Sequence, residues 1–206
     1  MTFELLPGDT VSAAKVAKRY NVSRTPAREA LVRLETEGLV DIIPQSKSVI
    51  SKISISVAKE EWFIRRTLEL GMTDTLFLKI TKKEIDRMRK LNNEMTKLSK
   101  EKSTHENSYK YLMADNEFHS VIYEVCGQLL AKSVIASNMA HYSRLRFLTE
   151  SEDAYKERTI SGHGELIKLL EAKDIDGYTN ALSKHLDYII GDINELKEKH
   201  PGLFKD

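Results

Sequence analysis

"SAAKVAKRYNVSRTPAREALVRLETEGLVDIIPQSKSVISKI", Ser12 to Ile53, is the stretch whose reading decides the fold. From Ser12 to Tyr20 it has the pattern of a short helix, and Asn21-Val22 then breaks that helix with a tight turn. A second helix starts with Ser23 or Thr25 as its cap and carries Pro26 in its first turn, where the missing N–H costs nothing. Two short helices joined in this way make a helix-turn-helix. Ala17, Val22, Ala27, Leu31 and Leu34 form the expected packed face, and Gly38 closes the second helix. Beyond it, "LVDII" and "SVISKI" on either side of the turn "PQSK" predict a two-stranded wing.

Charge placement agrees. Between positions 15 and 33, Lys15, Lys18, Arg19, Arg24, Arg28 and Arg33 stand against Glu29 alone, six against one, which leaves +5 in a chain whose formal total is +1. Basic residues on an amphipathic helix can simply be solvated, but with turn, cap and wing in order this excess reads as a phosphate footprint. In such a module the first turn of the second helix enters the major groove. Arg24 and Arg28 are therefore candidates for guanine edges, which the guanidinium fork matches, while Ser23, Thr25 and Lys47 are placed for backbone phosphates.

The segment "LPGDTVSAAKVAKRYNVSRTPAREALVRLETEGLV" resembles the winged-helix domain of the GntR superfamily of bacterial transcription regulators, with "VSRTPAREAL" close to its signature. The resemblance implies that Arg24, Thr25, Arg28 and Arg33 lie at or near operator DNA. Two departures stand out. The family's domain normally opens with a further helix, whereas five residues precede "LPGD" here, so the winged helix is expected to lack its first helix. The wing tip also reads Gln45-Ser46-Lys47-Ser48, without the usual glycine.

The remainder has a different texture. "SKSVISKISIS" suggests strand up to Ser56, which sets a division into a winged-helix domain over 1–56 and a helical domain over 57–206. Six segments then show apolar residues at three- and four-residue spacing: 58–79, 81–102, 106–126, 128–150, 153–173 and 175–200. Thr81, Ser103-Thr104, Cys126-Gly127 and Asp174 are their expected caps and breaks. The fold class is mainly α, a winged helix-turn-helix followed by an antiparallel six-helix bundle. Apolar residues at 41%, charged residues at 31%, nine glycines and four prolines fit that reading. No apolar run is long enough for a membrane helix, and "MTFELLPGDT" lacks the order of a secretory signal, so a cytoplasmic protein with no membrane partner is expected. The single Cys126 has no partner for an internal disulfide and reads as a small helix-end residue.

Within the bundle, "ADNEFHSVI" sets Asp115 and His119 four places apart, on one helical face. A hydrogen bond between two half-buried polar groups is the bland explanation. However, His163 and His185 each lie eleven residues from the joint at Asp174, so an antiparallel hairpin brings them level, roughly 16 Å from the turn. One carboxylate and three imidazoles from three helices make a set that a divalent metal would justify: zinc by ligand type, with nickel, manganese or iron compatible.

This half resembles the FCD ligand-binding domain of FadR-type GntR regulators, in its shorter, VanR-like six-helix form. "DNEFHSVI", "SGHGELIKLLEAKD" and "SKHLDYI" match its metal-bearing segments, which implies Asp115, His119, His163 and His185 as the ligands. Gly162 stands where relatives often have Glu, altering a contact behind the ligand while leaving the ligand in place. The resemblance further implies a small organic acid as effector. "IRRTLEL" matches an Arg-x-x-Leu-Glu segment and makes Arg65 a carboxylate clamp, with an Arg65–Glu69 ion pair as the equal alternative; Arg144 and Arg146 are further effector candidates. Tyr142 and Asn138 are weaker ones, Arg66 is expected to face water, His105 and His200 to lie at the surface, and His141 has no assignment.

The expected function is a metal-dependent, ligand-responsive regulator, commonly a repressor in this family. It would act as a homodimer with two heads on a symmetric operator and the joint near "SKISISVAKEEW" as transmitter. The alternatives are a metal-dependent hydrolase or lyase, for which no general base or nucleophile stands beside the set, and a bundle whose metal is purely structural.

Overall fold

The computed structural model describes residues 4–43, 47–149 and 153–205. At the N-terminal end, β1 (Thr10–Val11), α1 (Ala13–Tyr20), α2 (Arg24–Thr36), β2 (Val40–Ile43) and β3 (Lys47–Ile50) form the winged helix. Ser12 starts α1 by accepting the Lys15 N–H at 3.2 Å, and Asn21 stops it in the left-handed region at φ 53. Ser23 is the N-cap of α2, though its side chain makes no capping hydrogen bond.

The sheet has the antiparallel order β1-β3-β2, with Thr10 opposite Val49 and Val40 opposite Ile50. At two residues β1 is too short to show alternation, so only its pairing partner identifies it. Val11, Leu31 and Val40 form the small core, and Ala17 and Ala27 are buried beside it. Val22 departs from expectation. It is 47% exposed, because the left-handed residue before it turns the chain away from so small a core. Of the expected wing turn, Pro44, Gln45 and Ser46 lie outside the described residues.

The strand pattern expected up to Ser56 ends at Ile50. Ser54 instead accepts the Val57 N–H at 3.3 Å and caps a helix, so local capping overrides the alternation. That helix, α3 (Ile55–Gly71), opens the bundle, followed by α4 (Thr73–Lys79), α5 (Lys82–Leu98), α6 (His105–Cys126), α7 (Leu129–Ser137), α8 (Ala140–Thr149), α9 (Asp153–Ala172), α10 (Ile175–Gly191) and α11 (Ile193–Lys199). All six periodic segments are helical, but three are split. Gly71 and Gly191 end α3 and α10, where glycine's backbone entropy weakens a helix, and Ser137-Asn138 interrupts the third.

The expected caps form: a Thr81–Glu84 capping box, Thr104 before α6, Gly127 at φ 74 after it, and Asp174 before α10. Helix α5 packs on α6 and α9, α9 on α10, and α3 on α8 and α10. Met88, Phe118, Ile122, Leu166, Tyr178 and Leu182 are fully buried in the main core. Each contributes on the order of 1.5–3 kcal/mol through burial.

Arg66 faces water only in part. It is half-buried, donating to Asp187 at 2.9 Å and to Ser183 Oγ at 2.6 Å, and so ties α3 to α10. Among the described residues no helix is long and apolar enough to cross a membrane.

Candidate metal centre

Asp115 and His119 sit one turn apart on α6, and the α9–α10 hairpin about Asp174 carries His163 and His185 to meet them. One ligand atom from each of the four lies within 4.8 Å of all the others. His119 Nε2 is 3.3 Å from both His163 Nε2 and His185 Nε2, and His163 Nε2 is 3.4 Å from Asp115 Oδ1. Asp115, His119 and His163 are buried and His185 half-buried.

What stands behind His119 fixes its chemistry. Glu69 of α3 is fully buried, with Oε2 2.7 Å from His119 Nδ1 and Oε1 accepting from Arg65 Nε at 2.7 Å. Burial alone would raise the Glu69 carboxyl, but His119 and Arg65 together hold it down to about 2. An ionised Glu69 accepts a hydrogen bond from His119 Nδ1–H, which turns Nε2 toward the cluster. Burial lowers His163 to about 3 and takes His185 well below its ordinary value, so both rings are neutral. Asp115 is also depressed: burial opposes this, yet the guanidinium of Arg146 outweighs it.

Three imidazole nitrogens and a carboxylate oxygen thus face one point with too few protons to satisfy one another. This is a donor set that a cation fits.

Phe118 stacks on His163, ring centroids 3.7 Å apart. The Nδ1 atoms of His163 and His185 have no hydrogen-bond partner among the described residues, so only His119 is oriented through its second nitrogen. Gly162 has a definite role here. A Cβ at that position would stand 2.8 Å from His185 Nδ1, so glycine lets the ring lie against α9.

A small cleft of about 50 Å³ opens beside the cluster, lined by Arg65, Tyr142, Arg146, Tyr155, Arg158 and Tyr188 among others. Arg146 donates through Nη2 to Asp115 and through Nη1 to Asn116 Oδ1 at 2.7 Å, while Arg65 lies over the Tyr142 ring at 5.6 Å. Arg65 therefore makes the ion pair with Glu69 and also faces the cleft.

Arg144 does not join this group. Two positions from Arg146 on a helix it faces the other way, and its guanidinium binds Ser51 O at 2.6 Å and Gly38 O at 3.4 Å. Asn138 is exposed and bonded to Val134 O at 3.1 Å, away from the cleft. His141, left without assignment by the sequence, accepts the Ser54 N–H at 3.0 Å. His105 is exposed, whereas His200 is half-buried rather than at the surface.

Tyr155, Thr159 and Tyr188 escaped the sequence reading, although a signal existed. Tyr155 and Thr159 precede His163 by eight and four residues, and Tyr188 follows His185 by three, so each shares a stripe with a ligand. Glu69 was read as a partner of Arg65, and its bond to His119, fifty residues away, had no local signature.

On the head, Ser23, Arg24, Thr25, Arg28, Arg33 and Lys47 are all exposed. The first four occupy the first turns of α2 or its cap. Arg33 lies near the far end, roughly 14 Å along the axis from Arg24, and pairs with Glu37 at 3.4 Å.

The FCD domain family matches residues 62–188, and the family of bacterial regulatory proteins described as gntR matches residues 1–50. Similar proteins include the HTH-type transcriptional repressor RspR of Escherichia coli, 25% identical over 202 residues, covering 98% of this chain and 87% of that one. The gluconate operon transcriptional repressor of Bacillus licheniformis is 26% identical over 205 residues, covering 92% and 78%. Among solved structures, E. coli McbR/YncC shares the fold with a TM-score of 0.75 at 19% identity, covering 97% of this chain and 92% of the other. RspR and the gluconate operon repressor are named as transcriptional repressors, which sets aside the hydrolase or lyase alternative. The chain belongs to the GntR family of DNA-binding transcription regulators, with an FCD domain as its helical part.

Proposed function

We propose that the bundle binds one divalent metal ion through Asp115, His119, His163 and His185 together with a small organic acid, and that this acid releases the winged heads of a homodimeric repressor from operator DNA. The observation that carries the reading is the convergence of four ligand atoms within 4.8 Å, with His163 and His185 neutral and His119 oriented by Glu69. Three imidazoles and a carboxylate favour zinc, with nickel, manganese or iron compatible. A bound cation supplies open coordination positions for an anionic oxygen.

Charge supports an acid as effector. Without a metal, the two carboxylates Asp115 and Glu69 balance the two guanidiniums Arg65 and Arg146. A divalent cation leaves the site with a surplus of two positive charges facing the cleft, and a carboxylate answers it, with Arg65 and Arg146 as its clamps. The similar Bacillus licheniformis repressor is named for a gluconate operon, and gluconate is a carboxylate of this class.

The head, taken as residues 1–56, reads operator bases with Arg24 and Arg28. Ser23, Thr25, Arg33 and Lys47 hold phosphates, and residues 57–206 form the sensor. Exposed Phe63 and Ile64 on α3, with Leu129 and Leu130 on α7, supply apolar surface for a second copy.

The test is removal of metal by a chelator, followed by calorimetry with a panel of small hydroxy acids and dicarboxylic acids. The expected result is a retained helical signal with acid binding lost, and recovery of both metal and acid binding on adding zinc. Collapse of the fold with the metal would make the ion structural only.

A further inference from the structure

The chain between Ser51 and Ser54 joins the head to α3, and one helix grips it. From α8, Arg144 Nη1 donates to Ser51 O at 2.6 Å, and its Nη2 lies 3.4 Å from Gly38 O and 2.9 Å from His141 Nδ1. His141 Nδ1 also accepts the Ser54 N–H at 3.0 Å. Gly38, at φ +71, follows the end of α2, and a Cβ there would lie 3.4 Å from His141 Nε2, so the end of the DNA-facing helix rests directly on this imidazole. Ser51 Oγ closes the arrangement by donating to Gly38 O at 2.5 Å. The opposite side of the same linker is held by the C-terminal tail, with Ile53 N–H donating to Leu203 O at 2.9 Å and Lys205 N–H to Ile53 O at 3.1 Å.

Arg144 is 3% exposed, and the hydrogen-bond acceptors around it among the described residues are neutral: the carbonyls of Ala140, Ser51 and Gly38, and the His141 ring. Glu61 and Asp41 act on it only at a distance. A buried cation in such a cage tolerates little partial loosening, because each lost carbonyl leaves charge unsatisfied. Two residues further along, about 200° round the helix, Arg146 donates to Asp115 in the cluster. The N-terminal turn of α8 is fixed independently, by Glu61 accepting the Tyr142 N–H at 2.6 Å.

We propose that α8 couples the cluster to the head: Arg146 responds to the charge at Asp115, and Arg144 with His141 carries that response to the backbone of Gly38, Ser51 and Ser54. This rests on the reading that the cluster takes a cation. A divalent ion competes with Arg146 for the Asp115 carboxylate and repels the guanidinium. Because α8 is short and hydrogen-bonded along its length, a shift at Arg146 is passed to the opposite face, where the grip on the linker holds or fails as a unit.

Zinc chloride and a chelator are the probes, applied to the full chain with two readouts: calorimetric zinc affinity, and hydrogen exchange at the amides of residues 38 to 55. In the wild type, zinc should change linker exchange by at least about fivefold, the lower end of ordinary coupling between sites. Arg144→Met should still bind zinc, with its affinity changed by no more than the same factor because coupling between two sites is reciprocal, and with linker exchange fast and the same in both states. Arg146→Met should keep slow linker exchange without zinc and lose the response to it.

If Arg144→Met fails to fold, as judged by lost protection in α5, α6 and α9, His141→Leu takes its place with the same expectation. A wild-type linker indifferent to zinc while zinc binds would overturn the coupling and leave the metal reading standing, as would a variant that stays responsive. Absence of zinc binding in the wild type would overturn both, and calorimetry tells that case apart.

Discussion

The head and the bundle treat their cations in opposite ways. Arg24, Arg28 and Lys47 stand exposed on the winged helix, while Arg65, Arg144 and Arg146 are at most 8% exposed, and each is held by two or more partners. The proposed ligands account for the difference. A duplex presents a long row of phosphates already in water, and solvated side chains can meet it by displacing counterions. A small ion or acid offers few contacts, so the groups that receive it must be placed and dehydrated in advance, each balanced by a carboxylate or carbonyl. Substitutions in the bundle should therefore act steeply and at single positions, and those in the head in smaller increments.

The largest effect is expected for His163→Ala. Loss of a buried ligand should lower zinc affinity by more than about 100-fold, measured by competition with a chromogenic chelator, and a fully metalated variant would remove His163 from the set. Next comes acid. In the folded protein His163 titrates at about 3 instead of 6.5. Above the unfolded value both states leave the ring neutral. As pH falls below it, only the unfolded chain takes the proton, and stability drops by about 1.4 kcal/mol per pH unit until the folded value is reached. Asp115 and Glu69, both depressed, push the same way at lower pH. Urea midpoints of the chelator-treated protein should stay level down to about pH 6.5 and fall steadily from there to about pH 5, and a profile that stays flat over that lower range would mean that His163 is solvated. Glu69→Gln should be milder, about 10- to 100-fold in zinc affinity, because the amide oxygen can still accept from His119 Nδ1 while the charge that balances Arg65 is gone.

The comparison also explains what the sequence could and could not disclose. Asp115 and His119 are legible because four residues on a helix are neighbours, and His163 with His185 because equal distances from Asp174 bring them level. Periodicity and a known joint are enough for both. Glu69 at His119 and Arg144 at Gly38 are contacts across fifty and 106 residues, set by how α3 and α8 pack, and no local pattern encodes them. Arg144 and Arg146 look equivalent as neighbours in "YSRLRFL", and only the rotation of α8 separates a cleft residue from an interdomain one. The strand expected up to Ser56 was misread for a related reason. Alternating serine and isoleucine also suits a linker, one whose isoleucine at 53 is buried against the C-terminal tail and whose serine at 54 caps a helix.

The smallest effects belong to the head, and there the contrast lies in kind more than in size. Arg28, in the second turn of α2, is proposed to meet base edges. Arg28→Ala should weaken operator binding by about 1–3 kcal/mol and relax preference at the base pair it contacts. Lys47 begins β3 and is proposed to meet phosphate only, so Lys47→Ala should reduce affinity about equally for operator and random duplex and lower the salt slope by about one. Among the described residues Arg28 and Lys47 have no ion-pair partner to leave stranded, in contrast to Arg65 with Glu69, so neither change should alter thermal stability. Fluorescence anisotropy on both duplexes across a salt series separates the two roles. If Arg28→Ala weakens operator and random duplex alike, α2 is docked on the backbone and base reading must be sought elsewhere on the head.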